Sequence, residues 1–243
     1  MTAPKIVLAS SNRGKLDELQ AMLAPLGYDL ICQADLGIPQ AAEPFRTFVE
    51  NALAKARHAA RHSGLPAIAD DAGLCVDAFG GLPGVDTAFF ATRFGYAKSD
   101  DNNVRALLEQ MRDTDNRRAA MVSTLVALRS AQDPEPLIAT GRVGGEITRA
   151  PVGGNGFGFD PVLWIPEFGQ TFAQLPIAVK NANSHRGHAA RQNRFHAVVF
   201  QTAAFSPIPR QPSIPPAAAN QPAIRLTISN IHQLSRGNRS QAP

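Results

Sequence analysis

The sequence predicts an α/β fold, with apolar strand-like runs alternating with helical patterns. Three observations predict it. Lys5-Ile6-Val7-Leu8-Ala9 is a short apolar run that passes through a polar loop into Leu16, Leu19, Met22, Leu23 and Leu26 at helical spacing. A second helical pattern, starting at Thr47, leads straight to the apolar run Ala67-Ile68-Ala69. Two long strand-like runs, Ala119–Leu128 and Leu137–Ile147, flank Asp133-Pro134-Glu135-Pro136, which reads as a hairpin turn.

The chain has 243 residues, room for one large domain or for a domain with an appendage. Hydrophobic residues make up 44% and charged residues 18%, so a substantial core can form. Cys32 and Cys75 sit in apolar surroundings and suggest no disulfide framework. No secretory leader follows Met1 and no apolar run approaches membrane-spanning length, so a cytoplasmic protein with no membrane partner is expected. The net charge of +4 comes from the C-terminal end. Residues 181–243 hold seven arginines and no lysine or acid, while the remaining 180 residues carry 17 basic and 20 acidic groups. A mildly acidic body with arginines scattered over its tail gives no reason to expect nucleic acid as a partner.

In chain order, Ser10-Ser11-Asn12-Arg13-Gly14-Lys15 joins the first strand to the first helix, which Pro25 and Gly27 close. A loop entering a helix N-terminus beside a lysine suits an anion, and it also fits an ordinary turn. Ala9 and Leu16 stand where a Walker A loop would need Gly and Ser or Thr. Tyr28–Gln33 reads as a second strand. Thr47 and Glu50 have capping-box spacing, so the next helix starts at Thr47 and runs to about Ser63. Lys55 shares the side of Phe48 and Ala52, where it either snorkels or reaches into a cleft.

Ala67–Leu74 holds Asp70-Asp71-Ala72-Gly73 and reads as a buried strand ending with its two acids at the tip. Neighbouring strand residues point to opposite faces, so both acids could face one ligand only if the strand broke there, a break that Gly73 would permit. Unpaired acids are costly to bury, and a hard cation such as Mg²⁺ would relieve the cost; a turn capped by acids is the alternative. Leu74–Val76 then resumes as a strand, and Gly80-Gly81-Leu82-Pro83-Gly84 is a sharp loop. Asp100 or Asp101 caps a helix through Val104, Leu107, Leu108 and Met111. The glycine-rich loop 151–161 carries Phe157, Gly158, Phe159 and Asp160, and Val162–Ile165 follows as a strand. Ser184 caps a helix beginning with His185 and Arg186; cations there suggest contact with an anion or a base edge, or a solvated basic turn.

Six segments occur in one order: Ser-Ser-Asn-Arg-Gly-Lys at 10–15, Thr-Phe-Val-Glu-Asn at 47–51, Ala-Asp-Asp-Ala-Gly at 69–73, Gly-Gly-Leu-Pro-Gly-Val at 80–85, Gly-Phe-Gly-Phe-Asp-Pro at 156–161 and Ser-His-Arg-Gly at 184–187. Together, over about residues 5–195, they resemble the inosine triphosphate pyrophosphatase family. The resemblance implies an elongated two-lobed fold around a long mixed sheet, with the active site in the central cleft and a homodimer. It implies Mg²⁺-dependent hydrolysis of non-standard purine nucleoside triphosphates, such as ITP, dITP and XTP, to the monophosphate and pyrophosphate. Two alternatives are a nucleotide-binding module of this fold with little turnover and a septum-associated type of pyrophosphatase with other base specificity.

Carried over by motif position, the loop from Ser10, Ser11, Asn12, Arg13 and Gly14 to Lys15 would hold substrate, with Asn12 and Lys15 on the phosphates. Lys55 would reach the same phosphates. Glu43 and Asp71 would be the metal ligands, and Asp71 or Asp70 would activate water. Phe157, Gly158, Phe159 and Asp160 would wall the base and sugar. Lys180, His185 and Arg186 would read the base, leaving Lys15 to touch phosphates alone. Ala72, also at a substrate-side position, replaces the family's usual Ser. Phe45 replaces a Gly, and Thr87-Ala88-Phe89-Phe90 stands for Ser-Ala-Arg-Tyr. The pyrophosphatase domain is expected over 1–201. Residues 202–243, with six prolines between Phe205 and Pro222 and no acid, are expected to form a disordered or loosely packed tail.

Overall fold

The computed structural model describes residues 5–24 and 27–192. The expected tail from 202 and the closing Pro25 of the first helix lie outside the described residues.

Seven strands form one sheet in the order β2-β1-β3-β4-β5-β6-β7. Their ranges are β1 Lys5–Leu8, β2 Asp29–Cys32, β3 Ala67–Val76, β4 Arg118–Leu128, β5 Leu137–Ile147, β6 Leu163–Ile165 and β7 Gln170–Thr171. β1 is parallel to β2 and β3, and the pairings from β3 to β7 are antiparallel, so the sheet is mixed as expected. The helices are α1 Arg13–Leu23, α2 Phe48–Ser63, α3 Asp100–Gln110, α4 Ile177–Asn183 and α5 His185–Ala190. Turns of 3₁₀ helix occupy Gly84–Phe94.

Alternation along β1 sorts the core. Ile6 and Leu8 pack with Leu19 and Leu23 of α1, and Val7 and Ala9 pack with α2 on the other side. Burying a leucine such as Leu8 or Leu19 completely contributes about 1.5–3 kcal/mol. The inner face of α2 is almost all alanine: Ala52, Ala56, Ala59 and Ala60. Small side chains bring a helix axis close to the sheet, which shortens the reach of Lys55 to β3. A third cluster, with Leu74, Val76, Phe90, Leu107, Val143 and Phe159, fills the far half of the sheet.

Two expectations are corrected. β3 does not end or break at its acids. It runs unbroken over ten residues, with Asp70 opposite Leu125 and Asp71 opposite Thr124 on β4. Gly73 serves close approach: a Cβ there would overlap the Gly84 carbonyl and the Thr87 hydroxyl. The second correction is the cap of α3, where Ser99 takes the position expected of Asp100 or Asp101 and accepts the Asn102 amide. Thr47 caps α2 as expected, accepting the Glu50 amide. Among the described residues no helix is long and apolar enough to cross a membrane, and Cys32 and Cys75 are both free.

Candidate active site

The unbroken strand puts Asp70 and Asp71 on opposite faces, and each acid meets its own partners. On the α2 face, Lys55 Nζ lies 2.6 Å from Asp71 Oδ1 and 2.7 Å from Glu43 Oε2. Lys55 and Asp71 are both buried. Burial pushes the Asp71 carboxyl up to about 6 against the pull of Lys55. Burial works against the Lys55 ammonium, yet Asp71 and Glu43 outweigh it and raise its pKa. Glu43 feels burial too, but Lys55 holds it below the ordinary value. Two carboxylates on one ammonium leave this group one negative charge in excess. Asp71 Oδ2 is buried without a hydrogen-bond partner.

On the α1 face, six side chains form a continuous chain of ion pairs: Lys15, Asp70, Arg186, Glu18, Lys180 and Asp160. Lys15 Nζ is 2.9 Å from Asp70 Oδ2. Arg186 reaches the same oxygen through Nη2 at 2.9 Å and Nε at 3.2 Å. Its Nη1 meets Glu18 Oε2, and Glu18 Oε1 is 2.9 Å from Lys180 Nζ, which is 2.7 Å from Asp160 Oδ2. Three cations balance three anions. Ser123 Oγ donates to Asp70 Oδ1 at 2.6 Å. Burial would raise the Asp70 pKa, but Arg186, Lys15 and Ser123 together hold it well below the usual carboxylate range. Asp70 is thus a fixed counter-ion rather than a proton acceptor, and of the two acids only Asp71 has an oxygen to offer.

The first loop leads into this chain. Asn12 Oδ1 accepts the Lys15 amide and caps α1, and Ser10 Oγ accepts the Asn12 amide. Ser11 is exposed, and Arg13 turns away to pair with Asp35. A Cβ on Gly14 would lie 3.2 Å from the Phe157 ring, so that ring reaches the first loop. Phe157 also sits over the cations, 4.8 Å from Lys180 Nζ and 5.9 Å from the Arg186 guanidinium carbon. Ala72 is half-buried on the face of Asp70.

Of the other residues expected at the base, Phe159, Asp160 and His185 are buried. Phe159 packs into the third core cluster with Leu163 and Phe172. The Gly158 amide donates to Asp100 Oδ2 of α3. Asp160, buried, anchors the loop by accepting the Phe157 amide at 2.9 Å. His185 is buried with neither ring nitrogen partnered; burial, then the charge of Arg186, holds its pKa well below 6.5, so the ring is neutral. Phe45 and Phe89 both point their side chains to the surface, and Asn51 clamps the Phe45 backbone through its N–H and C=O. A groove of about 610 Å³ lies between α3 and the 149–161 loop, and none of the lysines or acids of the two charge groups lines it.

Sequence reasoning missed Glu18 and Ser123. Glu18 had one signal, its place three residues after Lys15 and so on the same helix face. Ser123 had none, because only strand register puts it beside Asp70.

The model of the Ham1 family matches residues 6–195. A dITP/XTP pyrophosphatase of Albidiferax ferrireducens is 82% identical over 187 residues, covering 77% of this chain and 94% of the relative. One from Burkholderia pseudomallei is 54% identical over 187 residues, covering 77% and 90%. A solved Ham1 protein structure from Coxiella burnetii superimposes with a TM-score of 0.73 at 40% identity, covering 82% of this chain and 99% of that one.

Proposed function

The chain belongs to the Ham1 family, and on that premise we propose that it hydrolyses non-standard purine nucleoside triphosphates. Relatives 71–82% identical carry the name dITP/XTP pyrophosphatase, in keeping with the resemblance carried by the six motifs. The substrates are dITP, XTP and ITP, and the products are the nucleoside monophosphate and pyrophosphate.

The observation that carries this reading is the Lys55 group, with its excess negative charge and the partnerless Asp71 Oδ2. Hard oxygen donors from two carboxylates suit Mg²⁺, which takes one or two protein carboxylates and completes its shell with water and substrate phosphates. Asp71 and Glu43 would hold it. When bound, the cation supplies positive charge against the phosphate oxygens and makes nearby water more acidic.

The chain's own residues do the remaining work. Asp71 has a carboxylate oxygen with no donor upon it and takes the proton of the attacking water. Lys55 keeps its ammonium and offsets charge that builds on the phosphates. Lys15 and the capped start of α1 face the triphosphate from the other side of the sheet edge. Phe157 offers a ring face to the purine, and Lys180 and Arg186 lie beneath that ring. An aromatic face accepts any purine, so discrimination falls to polar groups at the base edge. We include a homodimer in this reading, supported by exposed Leu82, Phe89 and Phe94 near one another in the chain.

The test is pyrophosphate release from ITP, XTP and dITP against ATP and GTP, with Mg²⁺ and with chelator. Faster release from the first three, abolished by chelator and restored by Mg²⁺, is expected. Equal rates on ATP would refute the substrate class, and light scattering of the purified chain checks the dimer.

A further inference from the structure

Lys15 was expected to touch phosphates alone, and Arg186, with Lys180 and His185, to read the base. The structure joins them through one atom. Asp70 Oδ2 accepts Arg186 Nη2 at 2.9 Å and Arg186 Nε at 3.2 Å, and the Lys15 ammonium pairs with the same oxygen at 2.9 Å. The Lys15 ammonium also lies 3.3 Å from the Asp70 carbonyl. Asp70 and Arg186 are both almost fully buried, so their contact is strongly felt, while Lys15 reaches Asp70 from a half-buried position.

We propose that Asp70 is a positioning residue that couples phosphate binding at Lys15 to base selection at Arg186. This inference rests on the pyrophosphatase reading and names how the site ties its two ends together.

The geometry gives the reason. A guanidinium has five N–H donors in a rigid plane. Arg186 uses Nε and Nη2 on Asp70 and Nη1 on Glu18. Those three bonds fix the plane, so the two remaining N–H groups keep a set direction. A buried fork held on two carboxylates recognises by orientation, and orientation is lost when either carboxylate loses its charge. Ser123 fixes the other oxygen of Asp70, so the carboxylate cannot rotate to serve its two cations separately. When Lys15 turns to a triphosphate, it withdraws from the oxygen that Arg186 also uses. The two ends therefore bias one another through a shared acceptor, and such coupling is reciprocal.

A merely structural Asp70 makes a different prediction. Its loss would lower stability and would slow every substrate by one factor. A positioning Asp70 changes the ratio of kcat/KM between ITP and ATP, which differ at the purine edge and not at the phosphates.

The experiment measures that ratio in four variants of the full chain beside wild type. Asp70→Asn keeps the shape and removes the charge, and should lower the ITP-to-ATP ratio at least about fivefold. Ser123→Ala frees Oδ1 without touching a charge, and should lower the ratio in the same direction by less. It only removes a buried hydroxyl and so tests the idea even if Asp70→Asn fails to fold. Lys15→Met should change the ratio by at least about threefold, the scale of coupling between groups that share a partner. In the combined Lys15→Met, Asp70→Asn chain, the Lys15 change should leave the ratio where Asp70→Asn set it. Equal losses on both substrates for Asp70→Asn and Ser123→Ala would overturn the inference. So would a Lys15→Met chain with the wild-type ratio. A wild-type chain with no ITP turnover overturns the parent reading and this one with it, whereas an active wild type with an unmoved ratio overturns this one alone.

Discussion

Asp70 and Asp71 are neighbours in the chain and stand on opposite faces of β3, and each bonds to its own set of side chains. Asp71 lies 2.6 Å from Lys55 of α2, and Asp70 lies 2.9 Å from Arg186 of α5. One acid is paired with two cations and accepts a hydroxyl, while the other keeps a buried oxygen without a partner. The pair divides two jobs by strand alternation alone.

Asp71→Asn should abolish turnover and leave the fold intact. An amide fits the same space, but it ligates a hard cation poorly and accepts no proton. The rate of pyrophosphate release from ITP should fall at least about a hundredfold. The circular dichroism spectrum should be unchanged. More than a tenth of the wild-type rate would remove Asp71 from the chemistry.

Gly141→Ala should damage both stability and activity. Its place on β5 faces α5, and a Cβ there would overlap the His185 carbonyl and crowd the Ala189 amide. Backbone cannot yield as a flexible side chain does, so α5 must shift and carry Arg186 off Asp70. A loss of about 2–4 kcal/mol is expected. A thermal melt within a degree of wild type would show that α5 has room to spare.

His185→Leu should flatten the acid side of the stability curve. The imidazole is neutral in the folded chain because burial holds its pKa well below 6.5. In the unfolded chain the pKa returns to about 6.5. Above about pH 7 the ring is neutral in both states and contributes no pH dependence. As pH falls through 6.5 the unfolded chain takes up a proton that the folded chain refuses, so stability is lost. Leucine has no proton to take. Denaturant melts at pH 7, 6 and 5 should show the variant gaining on wild type by about 2 kcal/mol across that range. Parallel curves would mean that His185 is protonated in the folded state.

Removing residues 206–243 should leave ITP turnover and the melting temperature nearly unchanged. The segment has no acid and is rich in proline, a composition that buries little apolar surface. A fall of more than about 5 °C would correspond to roughly 1–3 kcal/mol of packing against the body and would refute the expectation.

Much of the fold was legible in the sequence because it rests on local signals. The periodic leucines of α1, the Thr47 cap of α2 and the paired runs around 133–136 each report their element within a dozen residues. The motifs also placed Asp71, Glu43 and Lys55 together, and these three do meet.

What the sequence by itself determined was which residues carry charge and which elements carry them. The tertiary structure decided what each charge faces. Local reading ended β3 at its acids, because two carboxylates look too costly for a strand interior. The continuous strand is possible only because Lys55, Arg186, Lys15 and Ser123 arrive from four other places in the chain. Glu18 and Ser123 gave little or no sign of themselves for the same reason. A buried polar group is stable only with partners, and those partners are chosen by strand register and helix docking, not by sequence neighbours.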